Sequence, residues 1–260
     1  MALKIQNLCL GYGRKRVLEN LNVVFRKGVT CLHGRNGAGK SSLLRAIFGL
    51  VNAHGEIFHN GKIIDRAFIR DEISYIPQSA QAVSNISVFD VVLLGNVFSL
   101  RFMVAEEIKE KAESILSALG IRHLMHHPVS ALSGGEKQMV FLAQALIKNP
   151  KVLLLDEPAS SLDIYNQIKV MKMLRQLKDL IVIVAAHDLN LPIKFSDEIV
   201  LLNNCNVVYQ GAPEFFDNAL VEKIYQVKSH PVCENGVRGF LYTDIVDDAF
   251  PPIQRPFPRG

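Results

Sequence analysis

Apolar and polar residues alternate from Leu3 to Leu10 and again from Val17 to Phe25, the period-two pattern of half-buried strands, with Gly11-Tyr12-Gly13 as the turn between them. Val29 to His33 reads as a short strand, and after it Leu43, Leu44, Ile47, Phe48 and Leu50 recur at helical spacing. Gly55 to Phe58 and Lys62 to Ile64 flank Asn60-Gly61, a hairpin signal. Ile73 to Ile76 is a short buried strand stopped by Pro77. Val152 to Leu155 and Leu180 to Ala186 are apolar without alternation, as strands of a parallel sheet are. Glu198–Leu202 and Val207–Gln210 add strands joined by an Asn-rich turn. Between Ser79 and Asn149 strand patterns vanish, and helical periodicity takes over in Val88–Leu94, Glu106–Leu119 and Lys137–Ile147. The pattern predicts one domain over residues 1–228 with a helical subdomain inserted at about 79–149. From Ser229 the pattern weakens and four prolines crowd the last ten residues, so 229–260 reads as a loose tail or a small appendage.

The strand–loop–helix unit around residue 36 carries the first chemistry. Gly34-Arg35-Asn36-Gly37-Ala38-Gly39-Lys40-Ser41-Ser42 fits G-x-x-x-x-G-K-[ST] at every fixed position. Its glycines let the backbone wrap a chain of phosphates, and the helix start behind them adds partial positive charge. Lys40 is placed to reach the β- and γ-phosphates, and the Ser41 hydroxyl to meet Mg²⁺. The strand Val152–Leu155 ends in Asp156-Glu157. Ligands of parallel sheets lie outside the carboxyl ends of the strands. Beside a phosphate loop, Asp156 is therefore a candidate to hold Mg²⁺ and Glu157 to polarise a water aimed at the γ-phosphate. Other positions are ambiguous by themselves. Tyr12 is an ordinary turn residue or a ring free to stack. Gln78 is a solvated glutamine or a strand-end ligand group. His187 is a polar strand cap or a donor to a phosphate oxygen. Ser133 and Glu136 form a capping box before a helix. That box leaves Gly134 and Gly135, costing about 1 kcal/mol each in a first turn, unexplained; open N–H groups there would make a second anion site.

Composition narrows the class without changing the picture. With 49% apolar and 21% charged residues the chain is globular, and a formal charge of +4 is too small and scattered to argue for nucleic acid. The four cysteines show no C-x-x-C spacing, so no zinc site or disulfide framework is expected; with no apolar leader, a reducing cytoplasm is. The nearest candidate for a membrane span, Ile86–Ala105, contains Asp90 and Arg101 and is not expected to cross.

Taken in order, these motifs over residues 2–228 resemble an ATP-binding-cassette (ABC) ATPase, the nucleotide-binding subunit of an ABC transporter. The resemblance implies a P-loop NTPase (RecA-like) α/β core with an antiparallel β subdomain and the helical insertion, using ATP and Mg²⁺. It makes Tyr12 the adenine-stacking aromatic and Gly34 to Ser42 the Walker A loop. Gln78 becomes the glutamine that senses Mg²⁺ and the attacking water, Asp156 the Walker B aspartate, Glu157 the catalytic base and His187 the switch histidine. Ser133, Gly134 and Gly135, followed by Glu136, match the signature, and Ser161-Leu162-Asp163 the D-loop. In this family two subunits close head to tail, so the signature and D-loop of one copy serve the ATP held by the other.

The expected partners are thus a second copy, integral membrane permease subunits and, indirectly, a substrate-binding protein, at the cytoplasmic face of the membrane, with no nucleic acid. His187-Asp188-Leu189-Asn190-Leu191, Asp197 to Leu202 and Val221 to Val227 are similar to importers of iron–siderophore, haem and cobalamin. Leu94-Gly95-Asn96-Val97 departs from that branch, where Gly-Arg and then proline are usual. An exporter subunit, an importer of another cargo, or a non-transport ABC protein are the alternatives.

Overall fold

The computed structural model describes residues 1–78, 85–96, 106–160, 162–234 and 237–246. Ser79, Val97 to Ala105 and Ser161, which entered the expectations above, lie outside the described residues.

The long alternating strands β1 (Ala2–Tyr12) and β2 (Lys15–Arg26) pair antiparallel. With β4 (His54–His59) and β5 (Lys62–Ile63) they make a sheet ordered β2-β1-β4-β5. Tyr12 thus ends a strand, pairing with Lys15, and the turn is Gly13-Arg14 rather than Gly11 to Gly13. The second sheet is ordered β10-β9-β3-β8-β7-β6, from β3 (Gly28–His33), β6 (Ile73–Ile76), β7 (Val152–Asp156), β8 (Ile181–Ala185), β9 (Glu198–Asn203) and β10 (Asn206–Gly211). Only the β9–β10 pair in it is antiparallel.

Because β7 and β8 are apolar throughout, the parallel sheet can bury both faces. Leu153, Leu155, Val182 and Val184 face a helical layer. It comprises α3 (Val88–Leu94), α4 (Glu106–Ala118), α5 (Gly134–Leu146) and α6 (Ile164–Gln176). Val152, Leu154, Ile181 and Ile183 pack with the first helix, α1 (Lys40–Ile47), and with the antiparallel sheet. A short helix α2 (Arg66–Glu72), capped by Asp65, leads into β6 and buries none of its own residues, so periodicity could not reveal it. The architecture is the expected P-loop NTPase core with antiparallel and helical subdomains.

After β8 the described residues add two short helices, the β9–β10 pair and a second hairpin that packs on the core. α7 (Asn190–Phe195) and α8 (Asn218–Tyr225) are followed by a hairpin of β11 (Val227–Glu234) and β12 (Val237–Ile245). Phe240 of β12 enters a third apolar cluster with Leu189, Ile193, Phe216 and Ile224. The hairpin starts at Val227, just ahead of the boundary expected at 228.

Candidate functional site

The parallel strand order brings the carboxyl ends of β3, β8, β7 and β6 side by side, and with them Gly34, His187, Asp156–Glu157 and Gln78. The loop from Gly34 to α1 depends on its glycines. Gly34 holds φ 148°, and a Cβ there would stand 2.5 Å from the Leu202 carbonyl oxygen, so any other residue would push the loop off β9. Gly37 and Gly39 also lie at positive φ. Asn36 and Gly37 are exposed at the loop's crest. Lys40, only 5% exposed, folds its ammonium back onto the Gly34 oxygen at 2.7 Å and the Arg35 oxygen at 3.4 Å. Burial lowers its pKa, and Glu157 and Asp156 push it partly back up.

Ser41 Oγ donates to Asp156 Oδ1 at 2.8 Å, joining the loop helix to the end of β7. Asp156 is 1% exposed, and its other oxygen accepts from the Tyr75 hydroxyl at 3.2 Å. Glu157 follows at φ 52°, left-handed backbone that a glutamate rarely adopts; its N–H bonds the Ala185 oxygen at 3.0 Å. That bend turns the carboxylate between two other strand-end residues. Oε2 accepts from Gln78 Nε2 at 2.6 Å, and Oε1 lies 3.2 Å from His187 Nε2. The structure therefore gathers Gln78, Glu157 and His187 into one cluster, next to a second one of Lys40, Ser41 and Asp156. Tyr12 stands 47% exposed near the loop, its hydroxyl 3.4 Å from Ser42 Oγ.

These residues fit a magnesium-bound triphosphate. A buried ammonium whose partners are carbonyl oxygens is a ready anion partner. Ser41 and Asp156 set two hard oxygen donors side by side, the ligand type that Mg²⁺ prefers.

Ser133, Gly134, Gly135, Glu136 and Asp163 form a separate cluster. The capping box is present: Glu136 Oε2 accepts from the Ser133 N–H at 2.8 Å, and Ser133 Oγ caps the Glu136 N–H. The Ser133 hydroxyl, donating to Glu136 Oε2 at 2.7 Å, and then the Ser133 N–H hold the Glu136 carboxyl below its ordinary pKa. Asp163 caps α6 through the Asn166 N–H at 2.8 Å. Among the described residues, no hydrogen bond links this cluster to the phosphate loop. It also gives Gly135 a local reason: a Cβ there would lie 2.6 Å from Asn166 Cγ.

Three participants escape the sequence reading. Tyr75 is one residue of a short strand, with nothing in its spacing to mark it. His33 lies beneath the loop, fully buried with neither ring nitrogen partnered; burial, then the Lys40 charge, holds it down to about 3. Arg35 reaches out of the loop to Gln226 Oε1 at 2.9 Å.

Comparison with known proteins places the chain in a family. Residues 18–160 match the ABC transporter family. The achromobactin transport ATP-binding protein of Dickeya dadantii is 35% identical over 237 residues, 87% of this chain and 88% of that protein. The ferric enterobactin transport ATP-binding protein of Escherichia coli is 33% identical over 238 residues, 87% of this chain and 88% of that protein. The ADP conformation of MJ1267, an ATP-binding cassette of an ABC transporter, superposes with a TM-score of 0.78 at 24% identity, covering 86% of this chain and 97% of that one; this likeness establishes the fold. Family membership implies binding of ATP with Mg²⁺ and its hydrolysis. The chain belongs to the ABC transporter family, as an ATP-binding subunit.

Proposed function

We propose that this chain is the ATP-hydrolysing subunit of an importer that carries a metal chelate of the iron–siderophore, haem or cobalamin class. The observation that carries the hydrolytic part is the Glu157 carboxylate, held by Gln78 and His187 beside the Lys40–Ser41–Asp156 cluster. In this reading Tyr12 stacks on the adenine, and the backbone from Gly34 to Ser42, with Asn36, Gly37, Ala38 and Gly39 in it, cradles the phosphates. Lys40 turns from the loop carbonyls to the phosphate oxygens. Ser41, Asp156 and Gln78 hold Mg²⁺, which supplies neutralisation of the phosphate charge. Glu157 polarises the water that attacks the γ-phosphorus, the bond to the bridging oxygen breaks, and ADP leaves with phosphate. His187 steadies the γ-phosphate oxygens.

Ser133, Gly134, Gly135, Glu136 and Asp163 act across a head-to-tail pair of copies, closing over the ATP held by the other chain. ATP then favours the closed pair, and hydrolysis removes the contacts that held it. Cargo enters by analogy alone: the relatives named for achromobactin and ferric enterobactin transport support a chelate. In this reading the partners are permease subunits, which would hold the chain at the cytoplasmic face of the membrane, and a substrate-binding protein on the far side.

Glu157→Gln keeps the shape and the Gln78 contact but cannot draw a proton. Turnover should fall at least about a hundredfold, with ATP affinity kept and a stable dimer trapped by ATP in size-exclusion chromatography. Near-native hydrolysis by this variant would remove Glu157 as the base.

A further inference from the structure

The C-terminal hairpin reaches the site from two sides. Gln226, at φ 58° just after α8, accepts from Arg35 Nη1 and so touches the phosphate loop. The Val246 N–H returns to the Gln226 oxygen at 3.0 Å, closing the base of the hairpin on that residue. On β12, the Phe240 N–H donates to Asn190 Oδ1 at 2.7 Å, and Asn190 Nδ2 donates to the Phe240 oxygen at 3.1 Å.

A side-chain amide paired both ways with one residue's backbone fixes orientation as well as distance, as an added strand would. Asn190 opens α7, three residues after His187. Asp188 Oδ1 accepts from the Leu191 N–H at 3.0 Å, tightening the turn between them. The anchor is firm, since the Phe240 ring is 3% exposed and meets Phe216 edge-on at 5.9 Å. Partial burial, and then the Asp188 carboxylate, push the phenol of Tyr242 on the same strand up to about 12. His187 itself is half exposed and bonds only Glu157 among the described residues. Its place in the site is therefore inherited from the backbone that follows it.

We propose that the hairpin is a positioning element for hydrolysis: through Asn190 it holds the His187-bearing segment against Glu157. The hairpin contributes no atom to the reaction. It sets the distance at which His187 and Glu157 meet, and Asn190 is the positioning residue. This rests on the roles given above to Glu157 and His187.

The test compares full-length variants. Asn190→Ala should lower kcat about tenfold while KM for ATP stays within about twofold, because the phosphate loop is untouched and a displaced catalytic group costs rate rather than binding. Asn190→Asp, which keeps the acceptor for the Phe240 N–H, should recover part of that loss. Phe216→Leu weakens the same apolar cluster without touching either bond; it should lower the thermal midpoint and leave kcat near native. Native kcat in Asn190→Ala overturns the proposal. So does a kcat that merely tracks the thermal midpoint across Asn190→Ala and Phe216→Leu, since any loosening of the core would then suffice. His187→Ala separates the two levels. If it retains native turnover, the role of His187 falls and this proposal with it. If it abolishes turnover while Asn190→Ala is native, only the hairpin's role falls.

Discussion

The loop from Gly34 to Ser42 and the turn from Ser133 to Glu136 both deliver the chain into a helix, yet glycine serves a different purpose in each. In the first, Gly34, Gly37 and Gly39 take backbone angles closed to other residues, and the loop they shape is locked to its surroundings. Lys40 is buried, Ser41 is bonded to Asp156, and Arg35 is bonded to Gln226. In the second, no glycine has positive φ; Gly135 is small because Asn166 lies against it, while a Cβ on Gly134 would meet Leu162 only at an ordinary 3.6 Å. Its polar groups satisfy one another through the capping box and face solvent. One turn is built for a ligand inside its own chain. The other is self-sufficient and presents a helix start outward, which is what a contact across two copies requires.

The contrast breaks most sharply at Lys40. Lys40→Ala removes a buried charge, so the free protein should lose little stability, while ATP affinity measured by calorimetry should drop at least about a hundredfold. Unchanged affinity would mean that the loop is not the phosphate cradle.

His33 tests what lies beneath that cradle. In the folded chain its pKa is held down to about 3, against an ordinary 6.5. Between those values the unfolded chain binds a proton that the native state refuses, so stability falls as pH drops, by up to about 1.4 kcal/mol per unit. His33→Leu removes this term along with two unpartnered nitrogens. In urea unfolding the variant's stability advantage over the native chain should widen by about 2 kcal/mol from pH 8 to pH 5. An unchanged gap would mean that the imidazole is charged or solvated in the native loop.

What the sequence could show was whatever repeats or punctuates. Val152–Leu155 and Leu180–Ala186 announced buried parallel strands because no polar residue interrupts them. The fixed glycines and lysine of the phosphate loop, and the carboxylates at the end of β7, were readable as chemistry for the same reason. Asp163 followed by Val170, Met171 and Leu174 at helical spacing is a local signal for α6 as well. Other features could not be read at all. Tyr75 meets Asp156 across 81 residues of sequence, and Asn190 meets Phe240 across 50, so no local pattern records either pair. β11 and β12 carry Pro231, Gly239 and several polar residues, and one hairpin strand supplies the other's partner, a pairing that periodicity alone does not specify.

Gly135 sharpens the comparison with the smallest effect, because two explanations of one residue predict different rescues. Gly135→Ala brings a methyl group into Asn166, costing about 1–3 kcal/mol, while alanine returns about 1 kcal/mol of helix propensity. The net loss should therefore be near 1 kcal/mol, with ATP binding by the single chain unaffected because the phosphate loop lies elsewhere. Turnover should fall about tenfold if this helix start must approach a triphosphate on another copy. Adding Asn166→Ala makes room for the methyl and should restore the stability. Turnover that stays low in the repaired double variant, measured on the assembled transporter, assigns the glycine to the contact between copies; turnover that returns with stability assigns it to the packing of α5 on α6 alone.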